Sequence, residues 1–261
     1  MNLSLKDKNA LVGGGSKGIG RAIAYELAES GANIHLLARS EDEMKAVVED
    51  LPITGNQHHS YVVVDMMQSD LLEQVVKSLC EQHDFHILIN NTGGPKSGLL
   101  SKAGTDELMA GFKMHIVASQ LISKLLVPGM KRAGYGRIIN IISTSVKEPI
   151  PGLGVSNTIR GAMGNWSKTM ATELAADGIT VNNVLPGFTA TGRLDSIIQN
   201  RMKSMDKSRD DIEKLMRSVV PMGRFADPSE IANVVGFLAS PAASYVTGIN
   251  VPVDGGRTKS L

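Results

Sequence analysis

Disulfides are excluded as a source of stability, because the chain carries one cysteine, Cys80, in 261 residues. That thiol falls in the apolar helical pattern Leu71, Leu72, Val75, Val76, Leu79 and reads as half-buried and structural. Charge bias is missing as well: 27 Lys and Arg face 26 Asp and Glu, for a net charge of +1. With no long run of like charge, neither nucleic acid nor a membrane is expected as a partner through bulk electrostatics. Long apolar runs are absent; none reaches the length that spans a bilayer, and the first dozen residues lack the charged-then-apolar layout of a secretory signal. A cytoplasmic location is the resulting expectation. His35, His58, His59, His83 and His86 show no metal-ligand spacing with cysteine or carboxylates, so no metal is expected. No linker or internal repeat divides residues 1–261, which read as one domain.

What is present is an ordinary globular composition, 42% hydrophobic and 20% charged. Short apolar runs alternate with helical patterns from end to end. Strands are expected at Asn9–Val12, Ile34–Ala38, Ser60–Val64, Phe85–Ile89, Arg137–Ile142, Thr180–Leu185 and Gly248–Val253. Helices are expected over Ile19–Ser30, Leu71–Cys80, Thr105–Arg132, Val155–Ala176 and Asp227–Ala239, the last opened by an Asp-Pro cap. The strands are continuous rather than alternating in hydrophobicity, as in a parallel sheet covered on both faces. The expected architecture is therefore α/β: a single-domain, doubly wound Rossmann fold of about seven mostly parallel strands. The stretch from Gly192 to Met222 is polar, rich in methionine and breaks the alternation, which suits a substrate lid or a surface excursion without a role.

Gly14-Gly15-Ser16-Lys17-Gly18-Ile19-Gly20 lies between the first strand and the first helix. There, glycines let the backbone approach a pyrophosphate while the helix N-terminus supplies free N–H groups and partial positive charge. With this motif the chain resembles the short-chain dehydrogenase/reductase family. The pattern is similar to that family's Thr-Gly-x-x-x-Gly-x-Gly, with Gly13 in the threonine's place. Asn90-Asn91-Thr92-Gly93 resembles its Asn-Asn-Ala-Gly, Pro186-Gly187-Phe188-Thr189-Ala190-Thr191 its Pro-Gly-x-x-x-Thr beside the nicotinamide, and Asp254-Gly255-Gly256 its C-terminal signature. The resemblance covers nearly the whole chain. It implies a nicotinamide cofactor lined by Gly14, Ser16, Lys17, Gly18, Ile19, Gly20, Asn91, Gly93, Pro186, Gly187, Thr189 and Thr191, with Asp65 on the adenine amino group.

Charge at the end of the second strand selects the coenzyme. An acid there would hold the adenosine ribose and repel a 2′-phosphate; the chain instead reads Leu37-Ala38-Arg39-Ser40. Arg39 and Lys17 form a phosphate-binding pair, and NADP(H) is the predicted cofactor; the plainer reading makes Arg39 a solvated charge.

The resemblance also implies a catalytic Ser, a Tyr-x-x-x-Lys pair and a helical Asn. Ser143 occupies the serine position. Ser156-Asn157-Thr158-Ile159-Arg160 occupies the next, so Ser156 replaces Tyr and Arg160 replaces Lys; His115 falls at the Asn. A serine hydroxyl is a poor direct proton donor, and Arg160 stays charged, able to hold ribose hydroxyls or a carboxylate. The general acid is then expected from His115, titrating near neutrality, or from Lys147, unless these are a packed histidine and a solvated loop charge. Arg160 with Lys147 suggests an anionic group on a small carbonyl or alcohol substrate.

The leading function is an NADPH-dependent ketone reductase or secondary-alcohol dehydrogenase, similar to the 3-oxoacyl-carrier-protein reductase branch. The alternatives are a non-catalytic NADP(H) sensor or assembly partner, and a lyase or epimerase that uses the cofactor transiently. The resemblance further implies a homotetramer, or a homodimer, paired through the helices at 105–132 and 155–176.

Overall fold

Each apolar run becomes a parallel strand whose successive side chains feed opposite cores. In the computed structural model, which describes residues 1–260, seven strands form one sheet. These are β1 (Asn9–Gly13), β2 (Asn33–Ala38), β3 (Ser60–Val63), β4 (Ile87–Asn90), β5 (Gly136–Ile141), β6 (Ile179–Pro186) and β7 (Asn250–Val253). Ala10 and Val12 of β1 pack on one face with Ile23 and Leu27 of α1 (Gly18–Glu29), Met44 of α2 (Glu41–Asp50) and Val235 of α9 (Pro228–Ala239). Leu11, between them, points to the other face, toward Val76 of α3 (Ser69–Gln82), Leu126 of α5 (Ala118–Ala133) and Leu174 of α6 (Gly154–Leu174). Ile23, Leu27 and Val76 are fully buried, each contributing about 1.5–3 kcal/mol of transfer free energy.

The strand order is β3-β2-β1-β4-β5-β6-β7, with every neighbouring pair parallel. The winding reverses between β1 and β4, and the crevice this opens lies at the carboxyl ends of the strands, where a doubly wound sheet binds ligands. One polar ladder crosses the apolar interior. Asn90, Asn140, Asn183 and Asn250 lie in register on adjacent strands. Asn90 donates to Asn140 (2.7 Å), Asn140 to Asn183 (3.0 Å) and to Ser167 of α6 (2.9 Å), and Asn183 to Asn250 (2.8 Å). Every member is bonded, so the ladder fixes strand register and ties α6 to the sheet.

Two expectations change. The helix expected over 105–132 is interrupted: α4 (Thr105–Phe112) passes through a π-turn, Lys113–Val117, before α5 begins. The extra residue of such a turn re-aims its side chains, and His115 at its centre is turned inward, 3% exposed. The 192–222 region is largely helical. α7 (Gly192–Met205) and α8 (Arg209–Ser218) pack through Leu194, Ile198, Ile212 and Met216 against Phe188 and Phe225. The Asp-Pro cap of α9 stands as expected, with Asp227 accepting from Ser229 N and Glu230 accepting from Asp227 N.

Candidate active site

The glycine turn is built by close approach. Gly14 (φ +59°) donates its N–H to the Leu37 carbonyl at 2.8 Å, fastening the turn to β2. From the end of β4, Asn91 Nδ2 donates to the carbonyls of Gly13 (3.1 Å) and Gly14 (3.3 Å). A Cβ on Gly20 would lie 2.2 Å from the Gly14 carbonyl oxygen, so only glycine lets α1 start this near the loop. No side chain caps α1; Lys17 at the N-cap makes no capping bond, and the first N–H groups remain available to an anion. Thr191, at the N-cap of α7, stands beside the same turn, its Cγ2 3.3 Å from where a Cβ of Gly18 would be. The segment leading to it is rigid: Gly187 N donates to the Val253 carbonyl, the Gly187 backbone leaves no room for a Cβ beside Asp254, and buried Thr189 pairs with Ala226. The expected cofactor residues at the ends of β1, β4 and β6 thus converge.

Arg39 and Lys17 extend from neighbouring elements and each already has a weak acidic neighbour. Arg39 Nη1 lies 3.8 Å from Asp65 Oδ2, and Lys17 Nζ lies 3.3 Å from Glu43 Oε1, both cations being 75% exposed. Hydrogen bonds from Ser16 and Lys17 hold the Glu43 carboxyl below the usual carboxylate range. Sequence reading did not single out Glu43, which the first turn of α2 brings back to the glycine loop.

The catalytic positions cluster where β5 and α6 meet. Ser143 follows β5 and its Oγ accepts from Ser145 N at 3.1 Å, opening the short turn Thr144–Val146. Ser156 and Arg160 lie four residues apart on α6, on one helical face, 9% and 7% exposed. The Ser156 hydroxyl has no hydrogen-bond partner among the described residues. Arg160 Nη1 donates to the Ile141 carbonyl at 3.0 Å. Burial, with the nearby charge of Arg193, pulls its guanidinium down to about 10, still protonated at neutral pH.

His115 corrects the expectation of a group titrating near neutrality. Burial, aided by the charge of Arg160, lowers its pKa to about 2, so its imidazole is neutral at any working pH. Its Nδ1 lies 2.5 Å from Thr92 Oγ1 in the loop that carries Asn91 and Gly93, and its Nε2 is buried without a partner. Neutral and enclosed, its imidazole braces the loop that carries Thr92. Lys147 ends the turn after Ser143, half-buried and in no ion pair among the described residues.

Two arginines that sequence reading did not single out complete the cleft. Arg193, in the first turn of α7, reaches across 98 residues of sequence to donate from Nη2 to the Pro95 carbonyl at 2.8 Å. Arg257 donates to Thr144 Oγ1 at 3.3 Å and stacks 4.7 Å from the Phe188 ring centroid. The free helix N-terminus, the cradle over Gly14 and Gly20, and the two cations beyond β1 and β2 fit a phosphorylated dinucleotide.

Comparisons with known proteins agree with this geometry. A family model described as enoyl-(acyl carrier protein) reductase matches residues 14–258. The chain is 33% identical over 262 residues to the NADPH-dependent reductase BacG of Bacillus subtilis, covering 98% of this chain and 100% of that protein. It is 33% identical over 254 residues to the 3-oxoacyl-[acyl-carrier-protein] reductase FabG of Staphylococcus epidermidis, covering 96% and 98%. The crystal structure of L-sorbose reductase from Gluconobacter frateurii, complexed with NADPH and L-sorbose, superposes with a TM-score of 0.93 at 31% identity, over all of both chains. The site, the sheet order and these likenesses together place the chain in one family: it belongs to the short-chain dehydrogenase/reductases.

Proposed function

We propose that the protein is an NADP(H)-dependent oxidoreductase that reduces ketones, or oxidises secondary alcohols, through a centre in which Ser156 and Arg160 stand where the family has Tyr and Lys. The observation that carries the reading is the partnerless, buried Ser156 hydroxyl one helical turn from the buried, charged Arg160, which is anchored at the carboxyl end of β5. The free N–H groups of Gly18–Gly20, Arg39, Lys17, Asp65, Asn91, Gly93, Gly187, Thr189 and Thr191 would hold NADP(H), which supplies the hydride. Ser143 and Ser156 orient the carbonyl oxygen. Arg160 keeps a fixed positive charge near that oxygen, a preorganised cation in an enclosed site. Neutral His115 fixes Thr92 and the loop on which the cofactor rests. Lys147, in the loop after Ser143, delivers the proton directly or through water, and α7–α8 act as the lid.

The sensor alternative draws on the same replacement, since loss of the family's phenol is what an inactive member would show. Nicotinamide fluorescence titration followed by a ketone panel separates the readings. We expect NADPH to bind in preference to NADH, and ketone-dependent NADPH oxidation that falls about tenfold or more in Ser156→Ala and in Lys147→Met but survives in His115→Asn. Binding without turnover on any ketone would favour the sensor; product without net NADPH consumption would favour a lyase or epimerase; no binding would sink the redox reading. Met109, Phe112 and Val117 leave 67%, 42% and 37% of their surface exposed along α4 and the π-turn, which supports pairing through this helix as a homotetramer or homodimer. Light scattering at the mass of a monomer would contradict that.

A further inference from the structure

Most surface arginines of this protein sit against carboxylates: Arg209 with Asp195 and Glu213, Arg217 with Glu213, Arg224 with Glu230. Arg160 and Arg193 do not. Neither has an acidic partner among the described residues, and yet the two approach each other. A methyl group on Gly94 would lie 3.6 Å from Nη2 of Arg193 and 3.9 Å from Nη2 of Arg160, so both guanidinium groups converge on one point above that glycine. Each is aimed by a single backbone carbonyl. Arg160 Nη1 donates to Ile141 and Arg193 Nη2 donates to Pro95, leaving the other N–H groups of both forks unclaimed by the chain. Arg160 is also 93% buried, counted from its 7% exposure, which makes an uncompensated positive neighbour costly. Two like charges held together without an internal counterion are a site built for an external one.

We propose that Arg160 and Arg193 form a bidentate fork for a carboxylate on the substrate, so that the protein acts on oxo acids rather than neutral ketones. This rests on the reading of the site as a carbonyl reductase. Ser156 stands one helical turn before Arg160 on the same face of α6, so a carboxylate on the fork sets its ketone against the Ser156 hydroxyl. Arg193 rides on α7, and the anion therefore ties the lid to the loop after β4 when substrate is present. A bridging phosphate of the cofactor offers the same chemistry. The glycine turn and the uncapped start of α1 already serve that phosphate from β1, whereas Arg160 belongs to α6 and binds the carbonyl at the end of β5.

The test is calorimetric titration of the NADP⁺-saturated protein with 4-oxopentanoate and with its methyl ester, alongside NADPH titrations of each variant. Wild type is expected to bind the acid at least about tenfold more tightly than the ester. Arg193→Gln is expected to remove that preference while NADPH affinity changes by less than about threefold. Arg193→Lys, which keeps the charge and loses the fork, falls between them. Equal binding of acid and ester, no binding of the acid by wild type, or an acid preference that persists in Arg193→Gln overturns the proposal. So does a tenfold loss of NADPH affinity in Arg193→Gln with acid binding unchanged, which would assign the arginine to the cofactor phosphate. Failure of wild type to bind NADPH at all is a separate result and strikes the oxidoreductase reading itself.

Discussion

Replacing Arg39 with alanine should change which nicotinamide cofactor the protein prefers, and the structure sets the size of the effect. Arg39 and Lys17 are three-quarters exposed and paired with Asp65 at 3.8 Å and Glu43 at 3.3 Å. Exposed pairs of this kind contribute about 0.2–1 kcal/mol each. A 2′-phosphate dianion accepting from the Arg39 fork gains about 1.5–3 kcal/mol per charge-assisted bond before screening. The phosphate therefore wins over the carboxylates. Discounting for exposure and for the lost Asp65 pair leaves about 1.5–2 kcal/mol, a factor of about ten to thirty in Kd. Arg39→Ala should weaken NADPH by that factor and leave NADH within about twofold. Glu43→Gln should do the reverse, tightening NADPH by about two- to fivefold as Lys17 is released and a nearby negative charge removed. Both are read by nicotinamide fluorescence at fixed ionic strength, since salt screens exposed charges. Equal weakening of NADPH and NADH by Arg39→Ala would refute the reasoning, for it would mean that Arg39 supports the fold or the shared part of the cofactor.

Acid should unfold the protein partly through His35, whose burial, with His83 and His59 nearby, lowers its pKa to about 4. The folded form resists protonation that the unfolded chain accepts below about 6.5, so stability is full above that pH and falls between pH 6.5 and 4, by about 3 kcal/mol for this group. His35→Leu should flatten that part of a melting-temperature profile; an unchanged slope would assign it to other groups. Asn140→Leu, at a fully buried position, orphans the amide of Asn90 and breaks the bonds to Ser167 and Asn183. It should cost about 2–4 kcal/mol in urea unfolding, and a loss below about 1 kcal/mol would show that the ladder does not hold register. Gly20→Ala places a methyl 2.2 Å from the Gly14 carbonyl and should abolish detectable NADPH binding while leaving a folded circular dichroism spectrum; binding within threefold of wild type would contradict the close approach.

The parts of this molecule legible in its sequence are those set by local chemistry. Continuous apolar runs such as Ile87-Leu88-Ile89, within the strand expected at Phe85–Ile89, mark strands buried on both faces, and glycine turns mark their ends, so sheet, order of elements and cofactor loop could all be read. What escaped reading depends on distance and burial. No local signal marks the π-turn that rotates His115 inward, and the pKa of that histidine is a property of its enclosure. Nothing local singles out Arg193 within a polar stretch; its meaning lies in reaching Pro95 and in lying near Arg160. The methionines of 192–222 read only as part of a polar stretch that breaks the alternation, yet Met216 fills a small core between α7 and α8. Glu43 was passed over because a helical turn, not the chain order, carries it to Lys17.

Transfer of deuteride from NADPH carrying deuterium at both positions of the reactive carbon of its nicotinamide, followed by mass spectrometry of the alcohol product, tests the central claim most directly. With wild-type protein and a reactive ketone, one deuterium should appear on the carbinol carbon, at a rate lowered by Ser156→Ala. Full binding of the labelled cofactor with no deuterium in any product would contradict the account and leave a dinucleotide-binding fold that does not perform the reaction.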